Sequence, residues 1–337
     1  MSPSRRNNSS GQGTEAGERS KQKGAGRPLP EPRRPLSGPR PLLLTPGLLR
    51  RWPLPRPDEE GDKEDRGRVL VVGGSSQMPG AVILAGTAAL RAGAGKLQIA
   101  TPRSISQLIA AAIPESRVFA LPETKTGGLS PAGAAELLER ANMVQAVLFG
   151  PGMIDASAVE RLVGKLLPGI ERATVILDAE ALGCLTGAPD ALFCLGGKAI
   201  LTPHAGEMAK MLGISKEAVA RDALGTARRA AAALRAVVAL KGAETFITAP
   251  QTRKVYCNRS GNVGLATSGS GDTLSGIVAG LAARGALPLQ AAAWGVYLHG
   301  RAGDVLAKRI GRLGFLAREL LAEVPALMAG LEARQGR

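Results

Sequence analysis

The sequence predicts an α/β fold: a doubly wound, mostly parallel sheet with helices on both faces and an antiparallel hairpin at its edge. Three observations predict it. Short runs rich in Val, Ile and Leu alternate with Ala/Leu-rich stretches of helical length, the pattern of βα units whose strands are buried on both sides. Aromatic residues make up only 3% of the chain although 45% is hydrophobic, so small aliphatic side chains must build the core, which suits helices packed closely on a sheet. After Lys241 the alternation stops, and two short strands, Thr245–Thr248 and Lys254–Cys257, flank Gln251-Thr252-Arg253 as a hairpin would.

Taken in order, residues 1–40 are rich in Ser, Gly, Pro, Arg and Gln and nearly free of apolar side chains. They cannot bury enough surface to offset the entropy of ordering, so they read as a disordered basic tail. Pro41–Pro57 carries Leu42, Leu43, Leu44, Leu48, Leu49 and Trp52, and reads as a short helix docked on the domain. Strands follow at Arg68–Gly73, Leu97–Thr101, Val144–Phe149, Thr174–Asp178, Ala199–Thr202 and Ala236–Lys241, with helices at Pro79–Ala92 and Thr273–Ala283 among those between and after them. No internal repeat interrupts the series, and 41–333 reads as one domain of the 337-residue chain.

Charge and cysteine content exclude several classes. The formal charge is +15, but residues 1–57 hold twelve Arg or Lys against three Glu, so most of it sits in these first residues. A solvated extension is the plain reading, and nucleic acid enters only as a partner of that tail. Three cysteines without Cys-x-x-Cys spacing suggest neither a disulfide framework nor a zinc cluster, which points to a reducing cytoplasm. No signal-peptide apolar region is present, and no run approaches the roughly 18 apolar residues of a membrane span.

The chemistry concentrates in four segments. Gly261–Gly276 (GNVGLATSGSGDTLSG) is a glycine-rich loop opening directly into an apolar helix. Amides of Gly269, Ser270 and Gly271 at a helix N-terminus suit an anion such as a transferring phosphoryl group. Asp272 stands in the first turn, where Asp is also favoured simply as a cap. Leu201–Glu207 (LTPHAGE) ends a strand and opens a helix; His204 can face a ligand there or be structural. Glu207 can hold a hydrated Mg²⁺ against phosphates or serve only as a first-turn carboxylate. Leu240–Thr245 (LKGAET) places Lys241 at another strand end, where it can neutralise phosphate charge, although Lys-Gly is also a common turn. Val71–Ala81 (VVGGSSQMPGA) lacks Gly-x-Gly-x-x-Gly and carries Pro79, so it is a substrate-facing loop rather than a dinucleotide fingerprint. Gly150-Pro151-Gly152 is a second turn of close approach.

Together, GRVLVVGGSSQMPGA, GPGM, LDAEAL, LTPHAGE, LKGAETFI, GNVGLATSGSGDTLSG and GVYLHGRAGD resemble the NAD(P)H-hydrate dehydratases of the ribokinase-like superfamily, over roughly residues 45–330. The resemblance implies dehydration of (6S)-NADHX or NADPHX coupled to hydrolysis of ADP or ATP, with ADP expected, and with Mg²⁺. It implies Asp272 as the catalytic base and Lys241, Gly242, Ala243, Glu244, Thr245, Gly269, Ser270 and Gly271 as the nucleotide site. Ala81, Gly152, His204 and Asp272 would contact the hydrated nicotinamide nucleotide, and Glu207 would organise magnesium through water. A homo-oligomer, a tetramer in relatives, is implied too. Relatives often carry an N-terminal epimerase domain; residues 1–57 are too short for one, so a separate epimerase is expected. Ser268, Glu180 and the GPGM turn depart from the family pattern without removing a charged group. The rival reading is a small-molecule kinase of the same superfamily, hydroxyethylthiazole-kinase-like, which would use the same loop and release a stable phosphorylated product.

Overall fold

The computed structural model describes residues 40–56 and 66–332. The expected tail therefore lies outside the described residues, except Arg40. The chain opens with β1 (Leu42–Leu43) and α1 (Pro46–Arg50). Thr45 caps α1 by accepting the Leu48 amide, and Pro46 at its first position needs no donor. β2 (Arg68–Val72), α2 (Pro79–Arg91), β3 (Lys96–Pro102), α3 (Arg103–Ala112) and β4 (Ser116–Leu121) follow, then α4 (Ala134–Ala141), β5 (Ala146–Phe149), α5 (Ala156–Leu166) and β6 (Thr174–Leu177). Beyond them come β7 (Ala199–Leu201), α6 (Ala205–Leu212), α7 (Lys216–Arg221), α8 (Ala223–Leu234), β8 (Val237–Leu240), β9 (Thr245–Thr248) and β10 (Val255–Asn258). Three helices, α9 (Ser270–Ala283), α10 (Pro288–Arg309) and α11 (Ala317–Glu332), complete the described chain.

The strands form one ten-stranded sheet in the order β1-β10-β9-β8-β7-β6-β5-β2-β3-β4. From β8 through β4 every pairing is parallel; β9 runs antiparallel to both β8 and β10. The expected hairpin is thus present near the edge, with the two-residue β1 lying parallel outside it. Successive residues of one strand feed opposite cores, as the period of two requires. Ala146 and Leu148 of β5 pack with α2, α9 and α10, whereas Val147 and Phe149 pack with α5, α6 and α8. This double burial is why the strands read as unbroken apolar runs.

Two elements differ from expectation. The Leu42–Leu43 segment pairs with β10 instead of continuing into a helix, and β4 was not foreseen. β4 is an edge strand whose sequence, SRVFAL, mixes a charge with apolar residues and buries only part of itself. The N-terminal arm is also fastened side-on. Trp52 stacks on Tyr256 with ring centroids 5.5 Å apart, and the Trp52 carbonyl accepts from Trp294 Nε1 at 2.9 Å.

Helices α2 and α9 meet through backbone. A Cβ added to Gly276 would lie 2.2 Å from the Ala85 carbonyl oxygen, and one at Gly280 would lie 2.3 Å from that of Ala89. Only glycine permits that approach. The contact sets the start of α9, and with it Asp272, beside the start of α2, which carries Ala81.

Candidate active site

The sheet reverses its strand order between β2 and β5, and ligands in open α/β sheets gather at such a point, outside the carboxyl ends of the strands. There a cleft of about 530 Å³ opens, with Ala81, Gly152, His204, Glu207 and Asp272 among its lining residues. All four positions proposed for substrate, and the one proposed for magnesium, therefore share one cavity. Gly152, at φ 64°, is pressed against the start of α2: a Cβ there would come within 2.9 Å of the Ala81 Cβ.

His204 and Glu207 form a reciprocal cap on α6. His204 Nδ1 accepts the amides of Gly206 (3.0 Å) and Glu207 (3.1 Å), while Glu207 Oε2 accepts the His204 amide at 2.7 Å. An Nδ1 that accepts leaves the ring proton on Nε2, which lies 3.5 Å from Glu207 Oε1. The structural reading and the ligand reading thus coexist: both side chains hold the helix start and both line the cleft.

The centre of the site is a charge network. Lys241, just past β8, donates to Asp178 Oδ1 at 3.1 Å and lies 3.8 Å from Glu207 Oε2. Burial works against its charge, but Asp178, Glu207 and, more weakly, Asp272 outweigh it and hold the ammonium above the usual lysine value. A Cβ placed on Gly271 would lie 3.6 Å from Lys241 Nζ and 3.9 Å from Asp178 Oδ2. Lys241, Gly271 and Asp272, which are 30 or more residues apart from first to last in sequence, are thereby brought together. Burial, then repulsion from Asp178, pushes the Asp272 carboxyl up to about 6, with Lys241 pulling the other way.

The glycine loop is arranged more narrowly than expected. Gly269 adopts φ 84° and precedes α9. The Ser270 amide donates to the Thr267 carbonyl at 3.3 Å, so it is spent within the loop. Gly271 and Asp272 remain as first-turn amides without an intrahelical acceptor. The Ser270 hydroxyl is 3.0 Å from His299 Nε2 of α10, a ring that burial pushes down to about 4, with a hydrogen bond to Ser270 opposing and the Lys241 charge adding a smaller push.

The remaining positions expected to meet the nucleotide lie along the β8–β9 turn. Gly242, Ala243 and Glu244 are exposed, whereas Thr245 begins β9 and is buried. The Glu244 carboxylate is taken by Arg259 Nε at 2.6 Å, so the stretch offers a ligand chiefly its backbone.

Comparison with known proteins places this arrangement. The family model described as NAD(P)H-hydrate dehydratase matches residues 69–326. An ADP-dependent (S)-NAD(P)H-hydrate dehydratase of Xanthomonas campestris is 47% identical over 87% of this chain and 98% of its own length. The chain belongs to the NAD(P)H-hydrate dehydratase family. Among solved structures, the ADP/ATP-dependent dehydratase of Bacillus subtilis, co-crystallized with ATP and Mg²⁺, superposes with a TM-score of 0.70 at 30% identity over 88% of this chain and all of its own. A ribokinase-like superfamily protein of Enterococcus faecalis gives 0.71 at 26% identity over 86% of this chain and 96% of its own, in keeping with the ribokinase-like architecture.

Within this NAD(P)H-hydrate dehydratase fold, two site residues went unread in the sequence. Asp178 is visible as an acid ending a strand, and His299 as one of only two histidines, set in an apolar helix. Both fall inside stretches that match the family, LDAEAL and GVYLHGRAGD, but no role was assigned to either residue there. Among the described residues, no cluster of three or more His, Cys, Asp or Glu side chains could hold a metal unaided. Glu207, with one oxygen already bonded to the His204 amide, fits an outer role behind water, the way Mg²⁺ held mainly by phosphates is commonly met.

Proposed function

We propose that the chain is an ADP/ATP-dependent dehydratase that returns (6S)-NADHX and NADPHX to NADH and NADPH, with ADP the expected co-substrate. The observation that carries the reading is Asp272, a carboxylate raised to about 6 where an anion-binding helix start meets Lys241. Such a group is poised to accept a proton near neutral pH.

Hydroxide is a poor leaving group, and phosphorylation repairs that. Asp272 accepts the proton of the ring hydroxyl while its oxygen bonds to the terminal phosphorus, and the nucleotide leaves one phosphate shorter. The ring C–O bond then breaks with phosphate as the leaving group, and the neighbouring ring carbon loses a proton to complete the double bond. The amides at the start of α9 and the Lys241 ammonium stabilise the phosphoryl charge in flight. Magnesium bound to the nucleotide phosphates would neutralise further charge, with Glu207 holding it through water. Ala81, Gly152 and His204 line the hydrate side of the cleft, and residues 241–245 with Gly269–Gly271 form the nucleotide side.

Support over the small-molecule kinase comes from the 47% identity to a dehydratase across nearly its whole length. Purified protein with Mg²⁺, NADHX and either ADP or ATP should regenerate NADH absorbance, and Asp272→Ala should abolish it. A stable phosphorylated alcohol with no NADH would sink the reading and favour the kinase. A homo-oligomer, a tetramer by family resemblance, and a separate epimerase complete the proposal; sedimentation velocity tests the first. No helix among the described residues is long and apolar enough to cross a membrane, and all three cysteines are free thiols; with these, cytoplasm is the proposed compartment.

A further inference from the structure

Asp178 stands just past β6 and is 2% exposed. An ionised carboxylate so placed carries a desolvation cost that partners must offset. Its Oδ1 accepts from the Thr202 hydroxyl at 2.8 Å and from Lys241 Nζ at 3.1 Å. Its Oδ2 lies toward Gly271, 3.9 Å from where a Cβ would sit. The backbone around it is held tightly. Ala179 adopts φ 49°, a left-handed conformation unusual for alanine, and a Cβ on Gly150 would lie 1.9 Å from the Asp178 carbonyl oxygen. Strain beside a buried charge persists where the surroundings over-determine it, and it gathers at functional sites.

Stability alone does not explain the residue. The ladders β6–β7 and β7–β8 already join the three strands that Asp178, Thr202 and Lys241 follow. Moreover, Asp178 repels the Asp272 carboxylate, an unfavourable pairing for folding.

Resting on the dehydratase reading above, we propose that Asp178 is a positioning residue of the reaction. It holds the Lys241 ammonium against the anion loop and sets a second carboxylate beside the start of the helix that bears Asp272. Other groups face Asp272 as well. Glu207, His204, Lys210 and Glu180 line the same cleft, and His299 approaches from α10. Helix α2 brings no ionisable side chain before Arg91. Of all these, Asp178 and Lys241 are the charges that move Asp272.

The test is Asp178→Asn, which keeps shape and an acceptor for Thr202 but removes the charge. The acidic limb of kcat/KM should move down by about one pH unit as the like-charge repulsion disappears. On the plateau, kcat should fall roughly tenfold or more while KM for the hydrate changes little, because the ammonium is no longer aimed. Carbon-13 NMR of the ligand-free protein, with the Asp272 signal assigned by Asp272→Asn, should show the same downward shift. Thr202→Val, which keeps the charge, should leave the limb in place. A folded Asp178→Asn protein with an unmoved limb and an unmoved Asp272 titration would overturn the proposal. If that variant does not fold, Asp178→Glu decides: a retained limb with lowered kcat supports positioning, and wild-type kcat overturns it. Failure of the wild type to form NADH would sink the dehydratase reading instead, while the NMR titration would still decide what Asp178 does to Asp272.

Discussion

The carboxyl of Asp272 and the ring of His299 are shifted in opposite directions, and each shift leaves a mark on stability. The Asp272 carboxyl is raised to about 6, so the folded protein binds its proton more tightly than the unfolded chain does. Stability from that preference is complete below about pH 4 and is lost as pH rises through about 6. Asp272→Asn should therefore abolish NADH formation yet stabilise the protein at pH 7 by about 1–3 kcal/mol, with the gain vanishing near pH 4. Thermal melts at both pH values check this; a variant destabilised at pH 7 would contradict it. His299 runs the other way. Its ring is held down to about 4, so its contribution is present above about 6.5 and is lost as pH falls toward 4. His299→Gln should flatten the fall in melting temperature over that window; an unchanged slope would show that His299 does not drive it. The sequence singled out Asp272 and Lys241 because each sits in a short segment whose glycines and strand end explain it locally. Asp178 and His299 lie in stretches that match the family, but their contacts stayed hidden because the partners are distant in sequence. The Asp178–Lys241 bond spans 63 positions and the His299–Ser270 bond spans 29.

Among the elements, α2 and α9 show how one substitution can take either sign. Gly276→Ala drives a methyl to 2.2 Å from a backbone oxygen that has little freedom to move. A loss of about 1–3 kcal/mol is expected, a drop of several degrees in Tm by differential scanning. Gly164→Ala, at an exposed position of α5 with nothing within 4 Å, should instead stabilise by up to about 1 kcal/mol. Equal effects at the two sites would refute the packing argument. The same contrast bounds what the sequence could show of the fold. Strands β2, β3 and β5 to β10 were legible to within two residues or so, because burial or hairpin chemistry leaves a plain signature. β4 escaped because one side of it is partly solvated, with Arg117 and Arg140 lying over Phe119 at 5.0 and 4.4 Å. β1 escaped because two residues carry no periodicity. The closeness of α2 and α9 shows in sequence only as scattered small residues, which name no partner.

For the whole molecule, the two ends of the sheet are each guarded. The β4 edge carries arginines over its phenylalanine, and the β10 edge is covered by β1 and by the Trp52 anchor. A chain beginning at Arg40 should keep its melting temperature. One beginning at Arg66 should expose β10 and the apolar surface under Trp52, lowering Tm by several degrees and promoting association through the open edge. Light scattering and calorimetry on the two proteins would show this, and identical behaviour would mean the arm is ornamental. The backbone contact between α2 and α9 reaches further than stability. Two rods touching along bare backbone have no compressible padding between them, so Ala81 and Asp272 ride on a single solid jaw. Whatever widening admits a bulky hydrate and expels its repaired form must fall to the opposite jaw, where α6 carries His204 and Glu207. The enzyme would then breathe from one side only, with the proposed base, Asp272, as the stationary reference against which the substrate is brought.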